Sequence, residues 1–167
     1  MIPFGKYDIC YTDTFKTYAI VTLNSNSGFI GIDKDENELF QVYPYDNGPD
    51  YVSDGLFRII RDFKIGFADV VSGRIIIQPV FDFSFGFESG LAIVNIGGHK
   101  EKVNPANPNG EYHMWRGGKW GVIDKTGRLL LDIKYDYLWN HILQQYELVC
   151  EDEKYRIVND NIIKTNK

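Results

Sequence analysis

Cysteine, alanine and histidine are scarce in this chain of 167 residues, and long apolar runs are missing. Cys10 and Cys150 match no Cys-x-x-Cys pattern, which points to two reduced, largely buried thiols and away from a disulfide framework. The three histidines, His99, His113 and His141, fall in neither an HExxH motif nor a paired Cys/His spacing, so no metal and no cofactor is expected. No stretch approaches the roughly 20 apolar residues that span a bilayer. Asp8 interrupts the opening segment where a signal peptide would run apolar, so a cytoplasmic location is expected. Lysine and arginine form no run, and 18 basic against 23 acidic residues leave a net charge of −5. That balance argues against nucleic acid, whose phosphates are bound by clustered cations. The GxSxG elbow, the GxxxxGK[ST] loop and the dinucleotide GxGxxG are absent as well, which gives the reading of a non-enzymatic protein.

What the chain does have is a composition of 44% hydrophobic and 25% charged residues, ordinary for one globular domain over residues 1–167. Its apolar residues are of a particular kind. Isoleucine, valine and 25 aromatics (3 Trp, 11 Tyr, 11 Phe) dominate over alanine and leucine, a mixture that suits pleated strands better than helices.

A repeat supplies the architecture. The segment KWGVIDKTGRLLLDIKYDYL from Lys119 is echoed by KIGFADVVSGRIIIQPVFDF from Lys64 and by FIGIDKDENELFQVYPYD from Phe29. Gly31, Gly66 and Gly121 correspond, as do Asp33, Asp69 and Asp124, and then Asp46, Asp82 and Asp136. Asn37 takes the turn position that Gly73 and Gly127 hold, since Asn tolerates a left-handed backbone. Each copy closes with a further strand, giving units of about 29–60, 64–94 and 119–150, with half-units at 4–23 and 154–163. Residues 97–118, rich in Gly, Asn and Pro, read as an inserted loop unable to continue a ladder.

Within one copy, apolar residues flank a short polar link ending in Gly127, as in a hairpin loop built on a type I turn and a left-handed bulge residue. Trp120, or Ile65 and Tyr155 in its place, is expected on a buried face, with the following Gly clearing room for a backbone or ring that approaches closely. The runs Ile75-Ile76-Ile77 and Leu129-Leu130-Leu131 lack alternation and predict strands covered on both faces. The recurring aspartates read as turn stabilisers that accept backbone N–H groups.

These residues resemble the bacterial WG repeat, whose pattern is Trp-Gly, Ile-Asp, a turn Gly, an apolar run and Tyr-Asp. The copy from Lys119 carries the Trp120-Gly121 dipeptide, and the first two carry Ile-Gly. The resemblance implies tandem β-hairpin units, a binding or scaffolding role, and no catalytic residues. An all-β fold of serial hairpins in an open twisted array follows, with a closed, propeller-like ring as the alternative.

For function, the expectation is a binding protein that contacts a protein partner through loop aromatics and acidic residues. The partner-binding residues expected are Tyr112, His113, Trp115 and Arg116 in the inserted segment, with Trp139 and His141 in a second aromatic stretch. Trp115 has a second reading, as a side chain folded back over the end of a strand. Small size and negative charge suggest an immunity protein that neutralises a basic toxin domain. A carbohydrate or cell-envelope binding module and a hydrolase with a loop-borne His/Glu site, from His99 or His113 with Glu101 or Glu111, are the alternatives.

Overall fold

The computed structural model describes residues 5–14, 16–23, 28–103, 113–136, 138–140, 147–150, 153–158 and 161–165. The chain divides into two compact units, Met1–Val80 and Phe81–Lys167. Among the described residues there is no helix, every strand pairing is antiparallel, and no sheet closes on itself, which is the all-β hairpin array that the repeat predicts.

The first unit contains β1 (Ile9–Cys10), β2 (Ala19–Thr22), β3 (Phe29–Ile32), β4 (Glu38–Val42), β5 (Pro44–Tyr45), β6 (Gly48–Pro49), β7 (Leu56–Arg61), β8 (Lys64–Asp69) and β9 (Ile75–Phe81). Seven of these form one sheet in the order β1-β2-β3-β4-β7-β8-β9, while β5 and β6 make a separate small hairpin. Tyr18, Phe40, Val42, Phe57, Ile59 and Ala68 form its main core cluster, with Tyr18, Phe40 and Phe57 in mutual ring contact at 5.6–6.2 Å.

The second unit contains β10 (Phe83–Ser84), β11 (Leu91–Lys102), β12 (His113–Asp124), β13 (Leu129–Tyr135), β14 (Leu138–Asn140), β15 (Glu147–Cys150), β16 (Glu153–Val158) and β17 (Asn161–Thr165). Two four-stranded sheets result, β10-β11-β12-β13 and β14-β15-β16-β17. Leu91, Ile93, Val122, Leu131 and Tyr155 are buried together there, with Trp120 and Tyr135 packed against them.

The repeat is visible as three equivalent hairpins, β3–β4, β8–β9 and β12–β13. At each reversal one aspartate organises the backbone. Asp33 Oδ1 accepts the Asp35 and Asn37 N–H groups, Asp69 Oδ1 accepts that of Ser72, and Asp124 Oδ1 accepts those of Thr126 and Arg128, all at 2.8–3.0 Å. The glycine that opens each hairpin is required by close approach. A Cβ on Gly31 would sit 2.5 Å from Phe40 Cζ, one on Gly66 2.6 Å from Pro79 N, and one on Gly121 2.7 Å from the Leu131 carbonyl oxygen. Ile65 and Tyr155 are buried and Trp120 is half-buried, as their places in the repeat predict.

Four local expectations are corrected. In the first copy the left-handed turn residue is Glu36 (φ 65°), while Asn37 uses its side-chain amide to hold Asp33. The triple-apolar strands are not covered on both faces: Ile76 and Leu129 are 43% and 50% exposed, because β9 and β13 each end their sheet and alternate inward and outward residues. Cys10 is exposed rather than buried, since β1 is the edge strand of its sheet; the Cys150 side chain lies outside the described residues. Residues 97–118 are not wholly loop. Gly98 to Lys102 pair with Gly117 to His113, extending β11 and β12 into a long hairpin. Gly97, Gly117 and Gly118 all adopt positive φ, so the glycines that read as loop punctuation instead kink a continuing ladder.

Candidate functional site

Arg58 is the one charged residue in the body of an otherwise apolar closing strand, standing where the equivalent strands carry Ile93 and Cys150. Such a side chain is stable inside only if matched. Asp50 matches it. The carboxylate takes the Arg58 guanidinium at 2.5–3.1 Å through Nε and a terminal nitrogen, and it also accepts the Arg58 backbone N–H at 2.7 Å. Both side chains are under 10% exposed. The guanidinium carbon lies 4.4 Å from the centre of the Tyr43 ring and 5.3 Å from that of Tyr45, within cation–π range.

The segment above this pair turns outward. β5 and β6 reverse through Asp46 (φ 51°) and Asn47, and a second tight turn at Asp54 (φ 53°) and Gly55 starts β7. Between the turns stand Tyr45, Tyr51 and Val52, 47%, 66% and 52% exposed, with the two tyrosine rings edge-to-face at 5.4 Å. Asp46 and Asp54 flank them and are exposed too. The arrangement therefore offers rigid aromatic rings on a buried ionic base, bordered by carboxylates. It is suited to a cationic or aromatic surface.

The acids of the repeat are committed elsewhere. Hydrogen bonds from Asn37 hold Asp33 below the usual carboxylate range, and those from Ser72 do the same for Asp69. Burial pushes Asp124 upward, but the hydrogen bonds from Thr126 and Arg128 outweigh it and bring the group down to about 2. Among the described residues no group of three or more His, Cys, Asp or Glu side chains is arranged to hold a metal ion.

The partner-binding residues expected from sequence are dispersed. Tyr112 and His141 lie outside the described residues, and Trp139 sits in β14 with its side chain likewise outside them. His113 begins β12 and is exposed opposite Lys102, and Arg116 is exposed beside Glu101 at 3.5 Å. Trp115 is half-buried, stacked on Phe83 at 5.0 Å, and donates its indole N–H to Asn95 Oδ1 at 3.0 Å. The fully buried Asn95 also accepts from Gly98 N and donates to the Gly117 carbonyl, so it ties both glycine-kinked strands together. Trp115 is thus folded back against β10 and β11.

One further concavity, of about 570 Å³, is lined by Lys134, Tyr135, Glu153, Tyr155 and Lys164. Its polar groups are spent on one another. Tyr155 donates to Glu153 at 2.5 Å and meets the Tyr135 hydroxyl at 2.8 Å, Lys164 pairs with Glu153, and Lys134 pairs with Asp132. Burial, followed by its bond to Glu153, drives the Tyr155 phenol well above its usual value and keeps it a neutral donor. The cluster braces β13 against β16 and β17.

Sequence reasoning missed Asp50, Arg58 and the tyrosines around them. The available signal was the departure of Arg58 from the apolar residues at the matching positions. No curated protein and no solved structure matches this chain. The family model of the WG containing repeat does match it, over residues 65–98 and 120–140. The matched residues take in most of the hairpins β8–β9 and β12–β13, and these parts of the chain are similar to the WG containing repeat.

Proposed function

We propose that this is a non-enzymatic bacterial binding protein that presents Tyr45 and Tyr51, with Asp46 and Asp54 beside them, to a basic protein partner. The observation that carries the reading is the buried Asp50–Arg58 pair beneath Tyr45, which fixes exposed rings in advance of contact. Rigid tyrosines at the centre of a surface contribute binding energy at small entropic cost. The carboxylates and the net charge of −5 favour encounter with a cationic surface. In its specific form the partner is a basic toxin domain, and this chain is the immunity protein that occludes it in the cytoplasm. The carbohydrate reading is less well supported, because the Tyr45 and Tyr51 rings stand at 68° to each other and form no flat platform for a sugar face.

The test is affinity capture from the native host with the wild-type chain and with Tyr45→Ala/Tyr51→Ala, followed by calorimetric titration of the captured protein. A Lys/Arg-rich partner whose affinity for the variant falls by about 10- to 100-fold is expected. Equal affinity for both proteins, or capture of no basic protein, overturns the proposal.

A further inference from the structure

Beneath the exposed tyrosines a guanidinium is already held in a particular way. Asp50 sets both carboxylate oxygens against Arg58, and the Tyr43 ring lies 4.4 Å from the guanidinium carbon, so one carboxylate and one aromatic ring share a planar cation. The outer side of the same segment presents both kinds of group without the cation. Tyr51 follows Asp50 directly in the chain and is 66% exposed, its ring set at 68° against that of Tyr45 with centres 5.4 Å apart. Among the described residues no cation stands over the Tyr51 ring. At the turn between β5 and β6, Asp46 Oδ1 accepts the Asn47 side-chain amide at 3.3 Å, and no described residue bonds to the other oxygen.

We propose that the partner is anchored here by an arginine, whose guanidinium stacks on the exposed face of Tyr51 and donates to the Asp46 carboxylate. The inference rests on the reading of a basic protein partner and specifies the side chain that the partner brings. Net charge cannot make that choice, because a chain of −5 attracts lysine and arginine alike. The ring makes it. A guanidinium is flat and weakly hydrated, so it lies on an aromatic face while its N–H groups still reach a carboxylate in its own plane. An ammonium is a compact, strongly hydrated charge that gives up more water for the same contact. The Tyr45–Tyr51 contact sets the receiving ring in advance, so little ordering remains to be done on binding.

The test titrates a short peptide of alternating glycine and arginine into the full chain, with NMR spectra of isotope-labelled tyrosine rings as the readout. Two further peptides carry lysine, or the neutral arginine isostere citrulline, in place of arginine. The arginine peptide should give a saturable shift of the Tyr51 ring signals, the lysine peptide should bind about threefold or more weakly, and citrulline should give no saturable shift. Tyr51→Leu, which keeps an apolar side chain but has no aromatic face, should weaken the arginine peptide about threefold or more, while Tyr51→Phe retains it. Asp46→Asn should weaken it as well, and Asn suits the left-handed backbone of that turn. Circular dichroism spectra equal to that of the wild type verify that the variants are folded. No saturable shift with the arginine peptide, equal affinity for the lysine peptide, or unchanged affinity in Tyr51→Leu overturns the proposal. Because these probes are peptides, such a result removes the arginine anchor alone, whereas the partner reading stands or falls by the capture experiment.

Discussion

The indole N–H of Trp115 donates to the side-chain oxygen of Asn95 across 20 positions of chain, at 3.0 Å, inside a ladder kinked by three positive-φ glycines. Asn95 replaces the Ile60 of the preceding copy, and its amide serves Gly98, Gly117 and Trp115 at once. Asn95→Ala removes all three bonds from a fully buried site, and a loss of about 2–4 kcal/mol is expected. Urea denaturation gives the loss, and a red shift of tryptophan emission should accompany it as Trp115 is released. An unaltered urea midpoint would remove the node from the account.

Asp50 and Arg58 should behave as one unit. Truncating either alone, Asp50→Ala or Arg58→Ala, leaves an unmatched buried charge at a cost of about 3–5 kcal/mol. Asp50→Leu/Arg58→Met removes both charges and should recover much of that loss while releasing Tyr45. Thermal unfolding of the three variants gives the comparison. A double variant as unstable as the sum of the singles would contradict the coupling.

The hairpin glycines divide by what lies above them. Gly66→Ala and Gly121→Ala drive a methyl into backbone atoms of the facing strand, whereas Gly48→Ala meets nothing within 4 Å and lies outside the left-handed region. A loss of about 2 kcal/mol or more is expected for each of the first two, and a change within about 0.5 kcal/mol for the third. Chemical denaturation of the three variants side by side is the measurement.

Acid should weaken the fold through its turns. The Asp124 carboxyl lies at about 2 in the folded chain against its ordinary 3.8, and those of Asp33 and Asp69 are lowered too. A depressed folded pKa means stability that is fully present above the ordinary carboxylate range and is lost as pH falls through it toward 2. The urea midpoint should therefore be level near neutrality and drop between about pH 4 and 2. Asp124→Asn keeps an acceptor for Thr126 and Arg128 but cannot titrate, so its midpoint should fall less steeply over the same interval. Parallel slopes would assign the acid sensitivity to other groups.

Much of this architecture was legible because a repeat states the same local physics several times. Asp33, Asp69 and Asp124 recur where a reversal needs an acceptor for free N–H groups, and Gly66 and Gly121 recur where strands crowd. The surroundings of Arg58 were less legible. Arg58 looks like any surface cation until its strand is known to be interior, and its partner Asp50 lies on another segment of the copy. The Gly-rich stretch from Gly97 misled for a related reason: glycine permits a loop, but it equally permits a ladder to kink and continue when a buried amide such as Asn95 holds it.

The order of residues alone determined the strand-rich class, the hairpin period and the aspartates that turn each hairpin, because all of these depend on interactions between near neighbours in the chain. Tertiary structure decided which aromatics are free. Trp115 is taken up by Phe83 and Asn95, while Tyr45 is held over Arg58 and Tyr51 stands exposed against Tyr45. Exposure depends on what distant segments bring against a side chain, and no local pattern specifies that.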